Sequence, residues 1–366
     1  MHMFKHASAE TSGLEGVVVA STVLSEVDGE RGTLIIAGTD VERLAVQARF
    51  EEVCERLWEP YLPGLTAETV TTGLGRARVW AHAQLAELGS ALSLPDGMEA
   101  LRASLARLPA EGVAPLELGL RLTAAAAVFT AAWACRREGR GLPVPDAGSS
   151  HAADLLRLLT GETNSAKVKA LETYLATVSD HGMNASTFTA RVIASTGSDA
   201  VSAVVGAVGA LKGPLHGGAP GPVLDMLDAI GAPAHAAGWL EAELIAGRRI
   251  MGMGHRIYRV RDPRAAVLER ALETLEGADG STPRLELARA VERAAEEVLA
   301  QRHPERPLRA NVEFYTAVLL DQIGLSRDLF SLLFTCGRVA GWIAHIAEQR
   351  ATGKLIRPDS RYVGTR

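Results

Sequence analysis

The sequence predicts an almost entirely α-helical protein, all-α in class, with one minor β element near the N-terminus. Three observations point there. Apolar residues recur at mixed spacings of three and four along most of the chain, which is the spacing of an amphipathic helix. The one strand-like segment is GERGTLIIAG, Gly29 to Gly38, read as two short strands or a turn. At 366 residues and 38.7 kDa the chain has room for two domains, each with its own core.

Taken in order, residues 40–59, 65–92, 96–107, 115–138 and 150–160 carry the helical pattern. Within the fourth lies LTAAAAVFTAAWAC, Leu122 to Cys135, too short an apolar run to cross a bilayer and read as a buried helix. Gly141 to Pro145 breaks the chain as a connector. Residues 165–179 form an amphipathic helix that enters SDHGMNAS, where Gly182 and Asn184 suit an irregular loop. The small-residue stretch Ser198 to Leu211 suits close helix packing, in a core or at a subunit contact. From Pro214 the texture changes: loops carrying His216 and His255 alternate with helices over 219–230, 234–246 and 263–276. A glycine break, Gly277 to Gly280, precedes a helix over 284–301. Long apolar helices return from Asn311 to Arg350, followed by a polar tail with Arg357 and Arg361.

Composition excludes several function classes. Hydrophobic content of 47% and charged content of 22% fit a soluble globular protein. A net charge of −5 argues against general nucleic-acid binding. Cys54, Cys135 and Cys336 are far apart and form no metal-spaced pair, which suits reduced thiols in the cytoplasm. The N-terminal MHMFKHASAETSG has no signal-peptide pattern. There is no HExxH or CxxC, the histidine spacings are too wide to define a metal site, and GMGH lacks the GxGxxG spacing of a dinucleotide fingerprint.

Two segments carry the strongest chemical signal: GPLHGGAP, Gly213 to Pro220, and MGMGHRIYRVRDPR, Met251 to Arg264. Each sets a histidine, His216 or His255, among glycines, where a ligand can approach the backbone closely and imidazole can move a proton near pH 7. His181 occupies a similar polar break, whereas His235 and His345 sit in helical patterns. Arg264, behind Pro263, has a planar fork that can grip a carboxylate. Arg338 lies inside the apolar run FTCGRVAGW, so its charge must meet either an internal partner or a bound anion. Glu313, at the entry to NVEFYTAVLL, reads either as a helix-terminus charge or as a desolvated general base.

Together these segments resemble the citrate synthase family. The likeness runs from GLEGVVVASTVLSEVDGERGTLIIAG through SDHGMNASTFTARVIAST, LKGPLHGGAPGPVLDML, RRIMGMGHRIYRVRDPRA and NVEFYTAVLL to GRVAGWIAHIAEQ and LIRPDSRYVG, and is weakest over about residues 50–150. It implies a two-domain helical homodimer: a large dimer-forming domain, 1–213 with 319–366, and a small domain, 214–318. It further implies a cleft site that takes oxaloacetate and then acetyl-CoA, which is a substrate, with no cofactor and no metal. By the resemblance the catalytic residues are His216, which stabilises the enol, His255, which protonates the oxaloacetate carbonyl, and Glu313, which removes the methyl proton. Oxaloacetate is held by His181, Arg264 and Arg338, with Arg357 donated across the dimer interface. Met251, Gly252, Met253, Gly254 and Arg259 contact coenzyme A. Glu313 departs from the family's usual aspartate, and Pro220 from its more frequent asparagine. A 2-methylcitrate synthase acting on propionyl-CoA and a non-catalytic paralogue binding oxaloacetate or coenzyme A are the alternative readings.

Overall fold

The alanine-rich run from Leu122 to Cys135 lies at the centre of the fold. In the computed structural model, which describes residues 14, 16–216, 220–277, 282–305 and 307–365, this run belongs to helix α5, Pro115–Arg137. Pro115 occupies the first turn, where its missing N–H costs nothing. Small side chains let α5 pack on all sides, against α3 (Ala67–Ala83), α4 (Gly97–Leu105), α6 (His151–Thr160) and α15 (Phe330–Thr352). Both α5 and α15 are long and apolar enough to cross a membrane, yet almost all of each apolar stretch is buried inside the protein.

Fifteen α-helices are found among the described residues, with one small sheet. The sheet is antiparallel: β1 Ser25–Asp28, β2 Thr33–Ile36 and β3 Thr39–Asp40. Ser25 pairs with Ile36 and Asp28 with Thr33, so the turn falls at residues 29–32 and Leu34 and Ile36 face the core. The strand-like segment of the sequence thus supplies β2 and the turn, while β1 precedes it.

Two predicted helices each hold more than one element, and the apolar run after Asn311 holds the separate helices its pattern predicts. Residues 40–59 break into α1 (Val41–Gln47) and α2 (Phe50–Trp58), where Glu52 reaches back to the Arg49 N–H at 2.7 Å and starts a new helix. Residues 65–92 end as α-helix at Ala83 and continue in two short 3₁₀ turns. The run from Asn311 to Arg350 divides into α14 (Val312–Gln322) and α15, separated by Gly324 at φ +85°. The apolar pattern continues across each break, so only the cap and the glycine mark it.

The functional loops hang on the remaining helices. α7 (Ser165–Val178) leads through residues 179–184 into α8 (Ala185–Ser195), which packs on α9 (Ala200–Leu211). Helices α10 (Pro220–Ile230), α11 (Ala236–Ile245), α12 (Pro263–Glu276) and α13 (Pro283–Arg302) follow. Residues 217–219 of the His216 motif, 278–280 of the glycine break and the following residue 281 lie outside the described residues. All three cysteines are buried and unpaired.

Candidate active site

Two glycines make the approach of α15 to α7 possible. A Cβ on Gly337 would stand 2.5 Å from Val178 Cγ2 and 3.0 Å from the Leu175 carbonyl oxygen; one on Gly341 would stand 2.3 Å from the Ser179 oxygen. The gap they leave is closed by hydrogen bonds. The Gly341 N–H donates to Ser179 O at 3.1 Å, and Arg338 Nε donates to Val178 O at 2.6 Å. Arg338 is only 1% exposed, its guanidinium lies 4.8 Å over the Phe334 ring, and its Nη2 has no hydrogen-bond partner. Burial lowers its pKa to about 10, despite the nearby Asp180 carboxylate.

Just past α7, Asp180 accepts a short hydrogen bond from Ser25 Oγ, and Ser25 Oγ in turn accepts from the Gly182 N–H at 3.1 Å. The sheet therefore holds the loop that carries His181. Asn184 caps α8, accepting from the Ser186 and Thr187 N–H groups, both at 3.1 Å. Ser186 anchors His216: its N–H donates to His216 Nε2 at 3.3 Å, and its hydroxyl lies 2.8 Å from the same nitrogen. With Nε2 accepting from a backbone N–H, the ring proton of neutral His216 sits on Nδ1.

The loop Met251–His255 is stitched to the start of α14. Met253 bridges Ala310, Gly254 N donates to Arg309 O at 2.7 Å, and Asn311 N donates to Gly252 O at 2.9 Å. Gly252 and Gly254 have φ of +72° and +85°, and a Cβ on either would come within 2.9 Å of Phe314 or Leu308. Asn311 ties both parts together, donating from Nδ2 to Gly254 O at 2.9 Å and accepting the Glu313 N–H at 3.0 Å. Asp262 plays the matching role for α12. It caps the helix, binds Arg264 through Nε at 3.0 Å and Nη2 at 2.7 Å, and accepts the Val312 N–H at 3.2 Å.

His255 is oriented by its own loop. Its Nδ1 accepts from the Ile257 and Tyr258 N–H groups at 3.1 and 3.2 Å, so neutral His255 carries its proton on Nε2. The His181 and His255 rings stand 5.6 Å apart, and Tyr258 completes the cluster, its hydroxyl 3.1 Å from His181 Nε2.

Electrostatics show that these distant segments share one space. The His181 pKa is held well below the usual imidazole range by burial first, then by the charges of Arg264, His255, Arg338 and His216. Burial lowers His216 to about 4, assisted by Arg338, and lowers His255 to about 4, assisted by Arg264. Burial raises Glu313 to about 7, with Arg264 pulling it down and Asp262 pushing it up. The cluster thus holds neutral histidines, one carboxyl poised to titrate near neutrality, and two guanidinium groups.

These shifts predict the acid limb of stability. Below about 6.5 the unfolded chain binds protons on histidines that the folded protein keeps neutral. Stability is therefore lost as pH falls from 6.5 towards about 4, the folded values of His216 and His255. Glu313 opposes this, since its raised pKa removes stability as pH rises from 4.5 to about 7, as does the raised Glu172, but His181, His216, His255 and the likewise buried His151 outnumber them. Thermal melts between pH 7 and 4.5 should show a falling Tm; a flat Tm would contradict neutral burial.

Of the residues singled out in the sequence, His181, His216, His255, Arg264, Arg338 and Glu313 come together, with Met251–Gly254 against the start of α14. Two stand apart in the single chain. Arg259 is exposed, its N–H donating to Gly29 O at 2.9 Å, and Arg357 lies in the exposed tail. Sequence reasoning passed over Ser186, Tyr258, Asp262 and Asn311. Asp262 and Asn311 had a readable signal as cap residues before a helix; Ser186 and Tyr258 had none.

Comparison with known proteins points to one family. Residues 13–359 match the family described as citrate synthase, C-terminal domain. The chain is 38% identical to the citrate synthase of Haloferax volcanii, over 96% of this chain and 95% of that protein. It is 36% identical to the 2-methylcitrate synthase of Mycobacterium tuberculosis, over 96% and 90%. It superposes with a TM-score of 0.85 and 25% identity on the ternary complex of carboxymethyl coenzyme A and oxaloacetate with citrate synthase from the thermophilic archaeon Thermoplasma acidophilum, covering 98% and 97% of the two chains. With the family pattern spanning nearly its whole length, the chain belongs to the citrate synthase family, transferases that condense an acyl-CoA with oxaloacetate.

Proposed function

We propose that the protein is a citrate synthase that joins acetyl-CoA to oxaloacetate and hydrolyses the resulting citryl-CoA. One observation carries the reading: a carboxyl titrating near 7 shares a site with two neutral histidines whose ring protons sit on opposite nitrogens. A thioester α-proton is weakly acidic, so a carboxylate removes it only with help on the carbonyl and a water-poor setting. Glu313 takes that proton, and His216 Nδ1–H donates to the thioester oxygen as the enol forms. The enol carbon attacks the oxaloacetate carbonyl carbon, and the oxygen of that carbonyl takes the Nε2 proton of His255. That proton is replaced through solvent as Glu313 gives up the methyl proton, so both groups return to their starting states. Water then cleaves the thioester, releasing citrate and the coenzyme A thiol.

His181, Arg264 and Arg338 are the groups for the oxaloacetate carboxylates. The backbone of Met251–Gly254 and the exposed Arg259 suit coenzyme A, whose phosphates favour a solvated guanidinium. Arg357 fits donation to the site of a second subunit. The exposed apolar residues around it, Leu355, Tyr362 and Val363, suit a tail that is covered in a homodimer. Residues 214–318 form the small domain of this reading, closing on the remainder.

The 36% identity to a 2-methylcitrate synthase favours a second reading with the same machinery and propionyl-CoA. One methylene in an acyl pocket is worth about 1–3 kcal/mol, a preference of about 10–200-fold. Thiol release measured with both acyl-CoAs should give a kcat/KM at least about tenfold higher for acetyl-CoA. A propionyl preference would assign the second activity. No thiol from either, with oxaloacetate still bound, would mark a non-catalytic paralogue.

A further inference from the structure

The hairpin of β1 and β2 touches both histidine loops of the site. At its base, Ser25 Oγ holds the His181 loop through Asp180 and through the Gly182 N–H at 3.1 Å. At its tip, Gly29 meets the His255 loop backbone to backbone. Its carbonyl accepts the Arg259 N–H at 2.9 Å, and a Cβ at Gly29 would stand 2.4 Å from the Ile257 carbonyl oxygen, far inside contact distance. Gly32, at the other end of the turn, comes as close: a Cβ there would lie 2.4 Å from Val260 Cγ2. The φ of Gly29 lies outside the left-handed region, so the neighbouring loop, not the turn itself, is what excludes a side chain.

The contact matters because of what the Ile257 carbonyl belongs to. Ile257 C=O and Tyr258 N–H are the two ends of one planar peptide unit, so moving the oxygen moves the N–H. That N–H donates to His255 Nδ1 at 3.2 Å, beside the Ile257 N–H at 3.1 Å, and the two fix the ring with its proton on Nε2. The hairpin side of the contact is the stiffer one. Four ladder pairs join β1 to β2, and Asp28 Oδ1 accepts the Glu30 and Arg31 N–H groups at 3.0 and 2.9 Å. Residues 256–262 form no helix or strand. We infer that Gly29 is a positioning residue for His255: the bare turn sets the 257–259 backbone, whose N–H groups aim the Nε2 proton at the oxaloacetate carbonyl. This rests on the reading of His255 as the proton donor to that carbonyl. A side chain at position 29 must push the Ile257 oxygen from 2.4 Å out to ordinary contact at about 3.4 Å. A displacement of about 1 Å is enough to cost on the order of 10²-fold in rate.

The test is Gly29→Ala in the full chain, with Glu30→Ala, in the same turn, as the control. The kcat of Gly29→Ala should fall on the order of 10²-fold. The oxaloacetate Kd from calorimetric titration should rise by no more than about tenfold, the worth of one hydrogen bond, because His181, Arg264 and Arg338 keep their places. Nitrogen NMR of the ligand-free protein with isotope-labelled histidines reads the ring directly, the His255 signals being assigned by their loss in His255→Gln. The Nδ1 resonance of His255 should move in Gly29→Ala as its two donors withdraw. Glu30→Ala should leave both rate and spectrum as they are. An unmoved resonance, an unchanged kcat, or an equal loss in Glu30→Ala would overturn the assignment while leaving the proposed reaction standing. Failure of Gly29→Ala to fold would overturn it too, because the glycine would then serve the structure alone. Full turnover in His255→Gln would remove the role of His255 itself, and this inference with it.

Discussion

Glu313→Gln is expected to lower kcat by on the order of 10³-fold, within the range of about 10²–10⁴ for loss of a general base. Oxaloacetate binding should survive. The amide keeps the shape of the side chain and the Asn311 cap on the Glu313 N–H, but it cannot accept the methyl proton. The local field explains why this carboxylate is suited to the task. Glu313 is in the first turn of α14, where the helix dipole favours the ionised form by about 0.3–1 kcal/mol, less than one pKa unit. Its pKa nevertheless rises from 4.5 to about 7, so desolvation outweighs the dipole and Arg264 together. A base must be ionised to act. In the unaltered enzyme kcat/KM should therefore climb with pH through about 7 and level off above it, and the residual rate of Glu313→Gln should lack that step. A limb near 4.5, or retained turnover in the variant, would take Glu313 out of its assigned role.

Arg338→Met is expected to separate binding from stability. Oxaloacetate affinity should fall on the order of 10²-fold, as when one partner of a buried charged contact is truncated. The ligand-free Tm should hold or rise. The guanidinium is buried with one nitrogen unpaired, and burial, aided by Arg264 and only partly offset by Asp180, takes its pKa down to about 10, so the folded protein carries the desolvation of this charge without full compensation. A methionine of similar length packs against the Phe334 ring without that cost. What is lost is the Nε donor to Val178 O, while Asp180 keeps Ser25 and the Gly182 N–H. Calorimetric titration and thermal melts read both effects. A Tm lower by about 2 °C or more, about 1–2 kcal/mol for a chain of this size, would make Arg338 a structural ion-pair member instead.

Much of this architecture was legible in the sequence. Helix type and order follow from apolar spacing, because a helix that must bury one face writes that requirement into every three or four residues. Helix ends were less legible. The break at Arg49 and the turn at Gly324 interrupt the backbone without interrupting the apolar pattern. The candidate chemistry was visible as anomalies: His216 and His255 among glycines, Arg338 within an apolar run, and Glu313 at a helix entry. The supporting residues were not, since Ser186 and Tyr258 are ordinary in their local context and acquire meaning only from what they face.

The helical class, most elements in order and, through the motifs, the family were thus written locally in the chain, along with a set of candidate side chains. Long-range packing is what brings His181, His216, His255, Arg264, Arg338 and Glu313 together, places the ring protons of His216 and His255 on opposite nitrogens, and raises Glu313 to about 7. The physical reason is one of range. Periodicity is a local property, set by neighbours along the chain. A shifted pKa or a chosen tautomer depends on burial and on partners such as Ser186 and Asp262, which only long-range packing brings within reach: α15 against α7 through Gly337 and Gly341, and residues 252–254 against residues 309–311.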